Sequence, residues 1–218
     1  MKLNELAGLA NKLPQNPGLN ASGEYFVSVV VLLLVPIDGE YHILFEKRAP
    51  SIRQGGEISL PGGEFDESDG TLEMAALREV EEEVGIPRSK IKIIGRLDSV
   101  IVPLGVMVNV FVGVSDVSES EITANPKEVE KAFLIPVSHF QHNQPETYEL
   151  MTRIYPSFTD AKTNDEVVLL PSKELGLPER YWKSWGGARH KVYVFKTSEG
   201  TIWGITARII IDFIKRMR

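Results

Sequence analysis

The chain has 218 residues, of which 43% are hydrophobic and 25% are charged, as is usual for a globular protein with a sizeable core. Its 24 Lys and Arg residues against 30 Asp and Glu residues give a net charge of −6, which argues against nucleic acid or a membrane surface as a partner held by bulk charge. The absence of cysteine excludes a disulfide framework, a thiolate metal site and a cysteine nucleophile. With no apolar run long enough for a membrane helix and no signal-peptide core, we expect a cytoplasmic protein.

The predicted elements mix strands and helices along the chain. In chain order they are a helix at 1–13, a linker at 14–23, strands at 25–36 and 41–47, a helix at 71–84, strands at 91–102, 105–114, 132–137 and 193–197, and a helix at 206–217. Strands with helices before, between and after them indicate an α/β fold. We therefore expect one domain over residues 1–218, with residues 1–22 as its N-terminal helix and linker.

Residues 141–190 show no sustained period and mix Pro, Asn, Asp and aromatic residues over a span too long for an ordinary loop. We interpret this segment as an insertion, or lid, that covers or shapes a site. Basic and aromatic residues cluster near its end: Arg180, Tyr181, Trp182, Lys183, Trp185, Arg189 and His190. They suit either a grip on a nucleotide-like ligand or the packing of a surface lid.

The main chemical signal is a set of glutamates on the helix predicted at 71–84. Glu79, Glu82 and Glu83 are spaced i, i+3 and i+4, so their carboxylates share one face and repel one another. A hard divalent cation would turn that repulsion into a binding site, and Mg²⁺ or Mn²⁺ fits carboxylate ligands and phosphate substrates. The competing interpretation is a solvated acidic face, which we apply to Glu81 because it projects away from the other three.

Two neighbours of this helix support a phosphate site. Gly62 and Gly63, in a Leu-Pro-Gly-Gly loop, would let the backbone approach the helix and a ligand, although an ordinary tight turn would use them equally well. Arg78 places a fixed cation beside the carboxylates, where it can orient one of them by a bidentate contact.

Residues 78–86 read Arg-Glu-Val-Glu-Glu-Glu-Val-Gly-Ile. Together with the preceding glycines, they resemble the Nudix box, Arg-Glu-apolar-x-Glu-Glu-x-Gly-apolar. The resemblance implies a Nudix-type α/β/α sandwich with a mixed β-sheet, and Mg²⁺- or Mn²⁺-dependent hydrolysis of a nucleoside diphosphate derivative. It also implies that Glu79, Glu82 and Glu83 are metal ligands.

The front half of the box is similar to the coenzyme A pyrophosphatase branch of that family. The interval from Gly63 to Arg78 is one residue longer than in the common form, and the carboxylate nearest the usual glutamate position is Asp69, which we also expect to cap the helix. Residues 47–53, followed by Gly56, resemble the branch's arginine signature, and residues 202–207 resemble its entry into the last helix. The chain departs from the branch at three places: Phe45-Glu46 replaces a different pair, Leu60 replaces a usual Phe, and Arg53 lies one residue closer to the glycines.

Three further residues are candidates for the site. Arg48 and Arg53 suit phosphate binding, because a guanidinium matches phosphate oxygens, or else are exposed charges after a strand. Glu128 precedes a predicted strand, where Nudix enzymes often carry another functional glutamate, and is a candidate base or extra ligand ahead of Glu130. The general base is thus one of Glu79, Glu82 and Glu128.

The resemblance implies that coenzyme A or acyl-CoA is split into a 4′-phosphopantetheine and adenosine 3′,5′-bisphosphate. A second hypothesis keeps the chemistry but takes ADP-ribose, NADH or another nucleoside diphosphate derivative as the substrate. A third is a Nudix scaffold that binds nucleotides without catalysis, and the complete set of box residues argues against it. The number of metal ions and the choice between monomer and homodimer stay open.

Overall fold

A computed structural model describes residues 25–103 and 105–217. The N-terminal helix and linker predicted at 1–22 lie outside these described residues. Within them, no helix is both long enough and apolar enough to span a membrane.

The described residues place eight strands in one mixed sheet. These strands are β1 (Phe26–Ile37), β2 (Glu40–Arg48), β3 (Ile58–Ser59), β4 (Gly62–Glu64), β5 (Lys92–Arg96), β6 (Val100–Val102), β7 (Val106–Val114) and β8 (Val129–Pro136). Strand order is β3-β2-β1-β7-β5, with β4 paired to β1, β6 to β7 and β8 to β2. Strand β1 runs parallel to β7 and antiparallel to β2 and β4, so the predicted mixed sheet is confirmed.

Strand β1 is buried on both faces of the sheet. Val31 and Leu33 enter one hydrophobic cluster, while Leu32 and Leu34 enter the cluster on the opposite face. Successive side chains of a strand point to opposite faces, and a strand covered on both therefore reads as a continuous apolar run.

Helices cover both faces. They are α1 (Leu72–Val84), α2 (Val137–His142) and α3 (Gly204–Arg216). The cluster that contains Val31 includes the buried side of α1, with Ala76 and Val80, whereas the cluster that contains Leu32 includes residues of α2 and α3. The layers are therefore helix, sheet and helix, which confirms the predicted α/β/α sandwich.

The single strand predicted at 91–102 is divided into β5 and β6. The β5–β7 register shifts between Ile93 and Gly95, and the chain leaves the ladder after Arg96. Ser99 then donates a hydrogen bond from its Oγ to Asn109 Oδ1 at 3.0 Å, which holds the connecting segment against β7. Apolar content alone does not reveal such a break.

The predicted insertion contains regular structure that its sequence did not reveal. It includes β9 (Glu146–Ile154), β10 (Ser157–Thr159), β11 (Glu166–Val168) and the first part of β12 (Trp185–Thr197), which also pairs with β13 (Gly200–Trp203). The long ladder between β9 and β12 starts the latter strand at Trp185, not at residue 193 as predicted. Strand β9 is exposed along nearly its whole length, so burial imposes no alternation on its sequence. A role in covering the site remains a prediction.

Candidate active site

The helix that carries the glutamates begins and ends on capping residues. Thr71 is the N-cap of α1, and its Oγ1 accepts a hydrogen bond from the Met74 N–H at 3.2 Å. The prediction that Asp69 caps this helix is therefore wrong. Asp69 belongs to a preceding 3₁₀ turn, where its carboxylate accepts the Asp66 N–H at 3.1 Å.

Arg78 gathers carboxylates from the helix and from the loop before it. Its Nε and Nη2 donate to the two oxygens of Asp69, at 2.7 and 3.1 Å. Its Nη1 lies 2.8 Å from Glu79 Oε1 and 3.1 Å from Glu82 Oε2. Hydrogen bonds and charge from these carboxylates raise the pKa of Arg78, and the bidentate contact lowers the pKa of Asp69. Arg78 thus holds two of the predicted metal ligands in a fixed place.

The double-glycine loop touches the same helix. The Gly62 N–H donates to Glu83 Oε2 at 2.8 Å, and Glu83 is buried. A Cβ at Gly62 would overlap the backbone carbonyl of Val29, and one at Gly63 would lie 2.5 Å from the Glu79 carboxylate. The close approach of loop to helix therefore requires glycine at both positions. Their part in ligand binding stays a prediction.

Glu46 is a member of the cluster that sequence reasoning missed as a site residue. It lies on β2, is completely buried, and has its carboxyl group within hydrogen-bonding reach of Glu83. Ser59 donates a hydrogen bond from Oγ to Glu46 Oε1 at 2.9 Å. Burial is the main cause that raises the pKa of Glu46 and of Glu83, and the Glu46 charge raises the pKa of Glu83 further.

Glu128 lies close enough for its charge to raise the pKa of both Glu46 and Glu79. Its backbone is fixed beside β2, because the Ala49 N–H donates to the Glu128 carbonyl at 2.8 Å. Glu130, by contrast, is paired with Lys47 at 2.7 Å. The fold therefore brings Glu128, and not Glu130, to the carboxylates of α1.

The two predicted phosphate-binding arginines adjoin one another. Arg48 donates a hydrogen bond from Nε to the Arg53 carbonyl at 3.2 Å, and its Nη1 lies 3.7 Å from Glu46 Oε1. The side chain of Arg48 is partly buried, whereas Arg53 is exposed. Arg48 thus joins the carboxylate cluster, and Arg53 lies on the exposed loop that follows it.

The donor set fits a hard divalent cation. Five carboxylates gather around two arginines, Arg48 and Arg78; these carboxylates are Glu46, Glu79, Glu82, Glu83 and Glu128. Within residues 25–103 and 105–217, no three of them already stand in a metal-ligand arrangement, since Arg78 engages Glu79 and Glu82. Glu46 Oε2 is buried without a hydrogen-bond partner in the described chain. A buried oxygen of this kind suits Mg²⁺ or Mn²⁺, which bind carboxylate oxygens.

Comparisons with known proteins agree with this arrangement. A model of the NUDIX domain matches residues 25–158, which is more than half of the chain. The chain is 30% identical over 189 residues to an uncharacterized Nudix hydrolase, NudL, of Photorhabdus laumondii, covering 86% of this chain and 83% of that protein. It is 28% identical over 200 residues to a NudL protein of Yersinia enterocolitica, covering 90% and 83% of the two chains.

Among solved structures, the chain is similar to a MutT/nudix family protein from Enterococcus faecalis. The two are 15% identical with a TM-score of 0.48, and the match covers 100% of this chain and 70% of the other.

Proposed function

The chain belongs to the Nudix hydrolase family, whose members act on nucleoside diphosphate derivatives, and we propose that this member is a metal-dependent pyrophosphatase of coenzyme A or acyl-CoA. The observation that carries the proposal is the contact between the double-glycine loop and the carboxylates of α1. The Gly62 N–H binds Glu83, and Gly63 lies against Glu79, so a diphosphate on this loop would face the carboxylate cluster.

Glu79, Glu82 and Glu83 would hold the Mg²⁺ or Mn²⁺. A bound cation would supply neutralisation of the charge that develops at phosphorus and would lower the pKa of an attacking water. Arg78 orients Glu79 and Glu82 from one side, while the Gly62 N–H fixes Glu83 from the other. Ligands held in this way need little rearrangement to meet a cation.

A carboxylate of the cluster must accept the proton of the attacking water. Glu79, Glu82 and Glu128 are the candidates, and we favour Glu79. Burial raises the pKa of Glu79 toward the range in which a general base works well at neutral pH, and Arg78 holds its carboxylate at 2.8 Å. Glu128 lies close to this group and is the second choice.

Coenzyme A is favoured as the substrate by the arginines that precede the glycine loop. Arg48 and Arg53 lie next to the cluster and offer guanidinium groups to a further phosphate, such as the 3′-phosphate of coenzyme A. The products would be a 4′-phosphopantetheine and adenosine 3′,5′-bisphosphate. Neither a plain ADP-ribose nor an NADH carries that 3′-phosphate.

A substrate panel tests the proposal. Purified enzyme is given coenzyme A, acetyl-CoA, dephospho-coenzyme A, ADP-ribose, NADH and dinucleoside polyphosphates with Mg²⁺ or Mn²⁺, and the products are identified by mass. We expect the highest kcat/KM for coenzyme A or its thioester, and no turnover in excess EDTA. A higher kcat/KM for ADP-ribose or NADH would contradict the coenzyme A assignment, and full activity in EDTA would contradict metal dependence.

A further inference from the structure

Glu46 occupies a strand position where the fold favours an apolar side chain. In β2, Leu44 and Glu46 point to the same face of the sheet, and Leu44 packs into the hydrophobic cluster under α1. Glu46 is nonetheless completely buried. A buried carboxylate is unfavourable unless it is paired and fully hydrogen-bonded, so its presence in this strand calls for a partner.

The described residues give Glu46 only partial compensation. Its Oε1 accepts a hydrogen bond from Ser59 at 2.9 Å, and the nearest guanidinium nitrogen, from Arg48, lies 3.7 Å away. Its Oε2 is buried with no hydrogen-bond partner in the described part of the chain. The neighbouring polar group is the carboxyl of Glu83, which has the same charge.

The rest of the cluster is compensated differently. Arg78 neutralises Glu79 and Glu82 at 2.8 and 3.1 Å, so these two carboxylates already have a cation. Glu83 accepts one backbone N–H from Gly62 but has no arginine or lysine within salt-bridge distance in the described chain. The unmet need for positive charge therefore lies between Glu46 and Glu83.

On the basis of the metal-dependent function proposed above, we propose that Glu46 is an additional carboxylate ligand of the divalent cation, which it binds together with Glu83. Glu46 comes from β2 and Glu83 from α1, so the cation would join the sheet to the helix. Ser59 would hold one oxygen of Glu46 in place and leave Oε2 for the cation. A Mg²⁺ or Mn²⁺ ion suits two carboxylates that face each other, because it prefers oxygen ligands and needs nearby negative charge.

The competing explanation is a proton shared between Glu46 and Glu83, with no part in metal binding. Glu46→Gln separates the two, because an amide has nearly the same shape and can still donate a hydrogen bond to Glu83 but lacks the charge of a ligand. A shared proton thus predicts unchanged metal affinity in Glu46→Gln. Glu130→Gln is the matched control, since Glu130 lies on the adjacent strand β8 and is paired with Lys47.

The test measures Mn²⁺ binding directly, by the electron paramagnetic resonance signal of free Mn²⁺ titrated with metal-free protein. We expect Glu46→Gln to raise the Kd for Mn²⁺ by about tenfold or more and Glu130→Gln to leave it unchanged. Melting temperatures in EDTA verify that each variant is folded, and Glu46→Thr, a residue that suits a strand, serves in the same assay if Glu46→Gln does not fold. Equal Kd values for wild type and the Glu46 variant overturn the role of Glu46 but leave the proposed function standing. Wild-type protein that binds no Mn²⁺ overturns both.

Discussion

Gly63 lies directly against the carboxylate of Glu79, and a Cβ atom at Gly63 would stand 2.5 Å from Glu79 Oε1. Gly63→Ala must therefore displace the Glu79 side chain or the loop. Because misplacement of a catalytic group by about 1 Å can cost a hundredfold in rate, we expect kcat to fall by at least tenfold. Gly95→Ala is the control, since no atom lies within 4 Å of its added Cβ. A Gly63→Ala enzyme with wild-type kcat would argue against this placement of Glu79.

The carboxylates of α1 should differ sharply in importance. We expect Glu82→Gln or Glu83→Gln to lower kcat by about a hundredfold or more, on the order of 3 kcal/mol in the barrier. The side chain of Glu82 is 53% exposed, so its replacement should leave the melting temperature in EDTA unchanged. Glu81→Gln, on the same helix but paired with Arg88 at 2.7 Å, should retain wild-type kcat. Equal losses in Glu81→Gln and Glu82→Gln would reject the proposed metal site.

The metal-free protein should become less stable as the pH rises above about 5. Burial raises the pKa of Glu46 and Glu83 in the folded state above the value near 4.5 of an ordinary glutamate. The folded state then holds protons that the unfolded state releases, so this stabilisation is complete below pH 4.5 and is lost as pH rises through the raised pKa values. Asp69, whose pKa is lowered, loses its contribution in the opposite direction and at lower pH.

Urea unfolding in EDTA between pH 5 and 8 measures this loss. We expect the free energy of unfolding to fall by up to about 1.4 kcal/mol per pH unit for each proton released. Glu46→Gln removes one of the two titrating groups and should give a shallower slope, while Glu130→Gln should keep the wild-type slope. A wild-type stability that rises over this interval would contradict the buried, proton-binding state of the pair.

Most of the fold could be predicted from local sequence patterns. The run of β-branched residues and leucine predicted β1, and thirteen uninterrupted helix formers between Thr71 and Gly85 predicted α1. The hairpin of β9 and β12 escaped prediction because β9 is exposed on both faces and therefore lacks an apolar alternation. Such a strand is specified by its ladder partner, which a single sequence does not reveal.

The site was predictable where its residues share one helix and not where they come from distant elements. The spacing of Glu79, Glu82 and Glu83 fixes a common face, whereas Glu46 joins them only because β2 passes under α1. A signal for Glu46 was present in the sequence, since it stands two residues after the buried Leu44 and thus on the same face of the strand. Only the packing of helix on sheet shows that this face ends at the carboxylates.

The arginines before the glycine loop provide a test of substrate choice. If Arg53 binds the 3′-phosphate of coenzyme A, Arg53→Ala should raise KM for coenzyme A by about tenfold and change KM for dephospho-coenzyme A much less. Arg53 is exposed, so its removal should not disturb the fold. Arg88→Ala, which removes an arginine bound to Glu81, is the control and should alter neither KM. Equal changes for the two substrates would exclude this role of Arg53.

The position of bond cleavage distinguishes an anhydride hydrolase from a phosphomonoesterase that uses the same metals. The cluster around Glu79 and Glu83 lies beside the loop expected to hold the diphosphate, so water should attack a phosphorus of the anhydride and leave the terminal monoester intact. In ¹⁸O-water, we expect mass spectrometry to find one labelled oxygen in either the 4′-phosphopantetheine or the adenosine bisphosphate, with no release of orthophosphate. Glu82→Gln run in parallel corrects for contaminating phosphatases, because its rate should be about a hundredfold lower. Stoichiometric orthophosphate from coenzyme A, formed by wild type and not by this variant, would instead identify the site as a phosphomonoesterase.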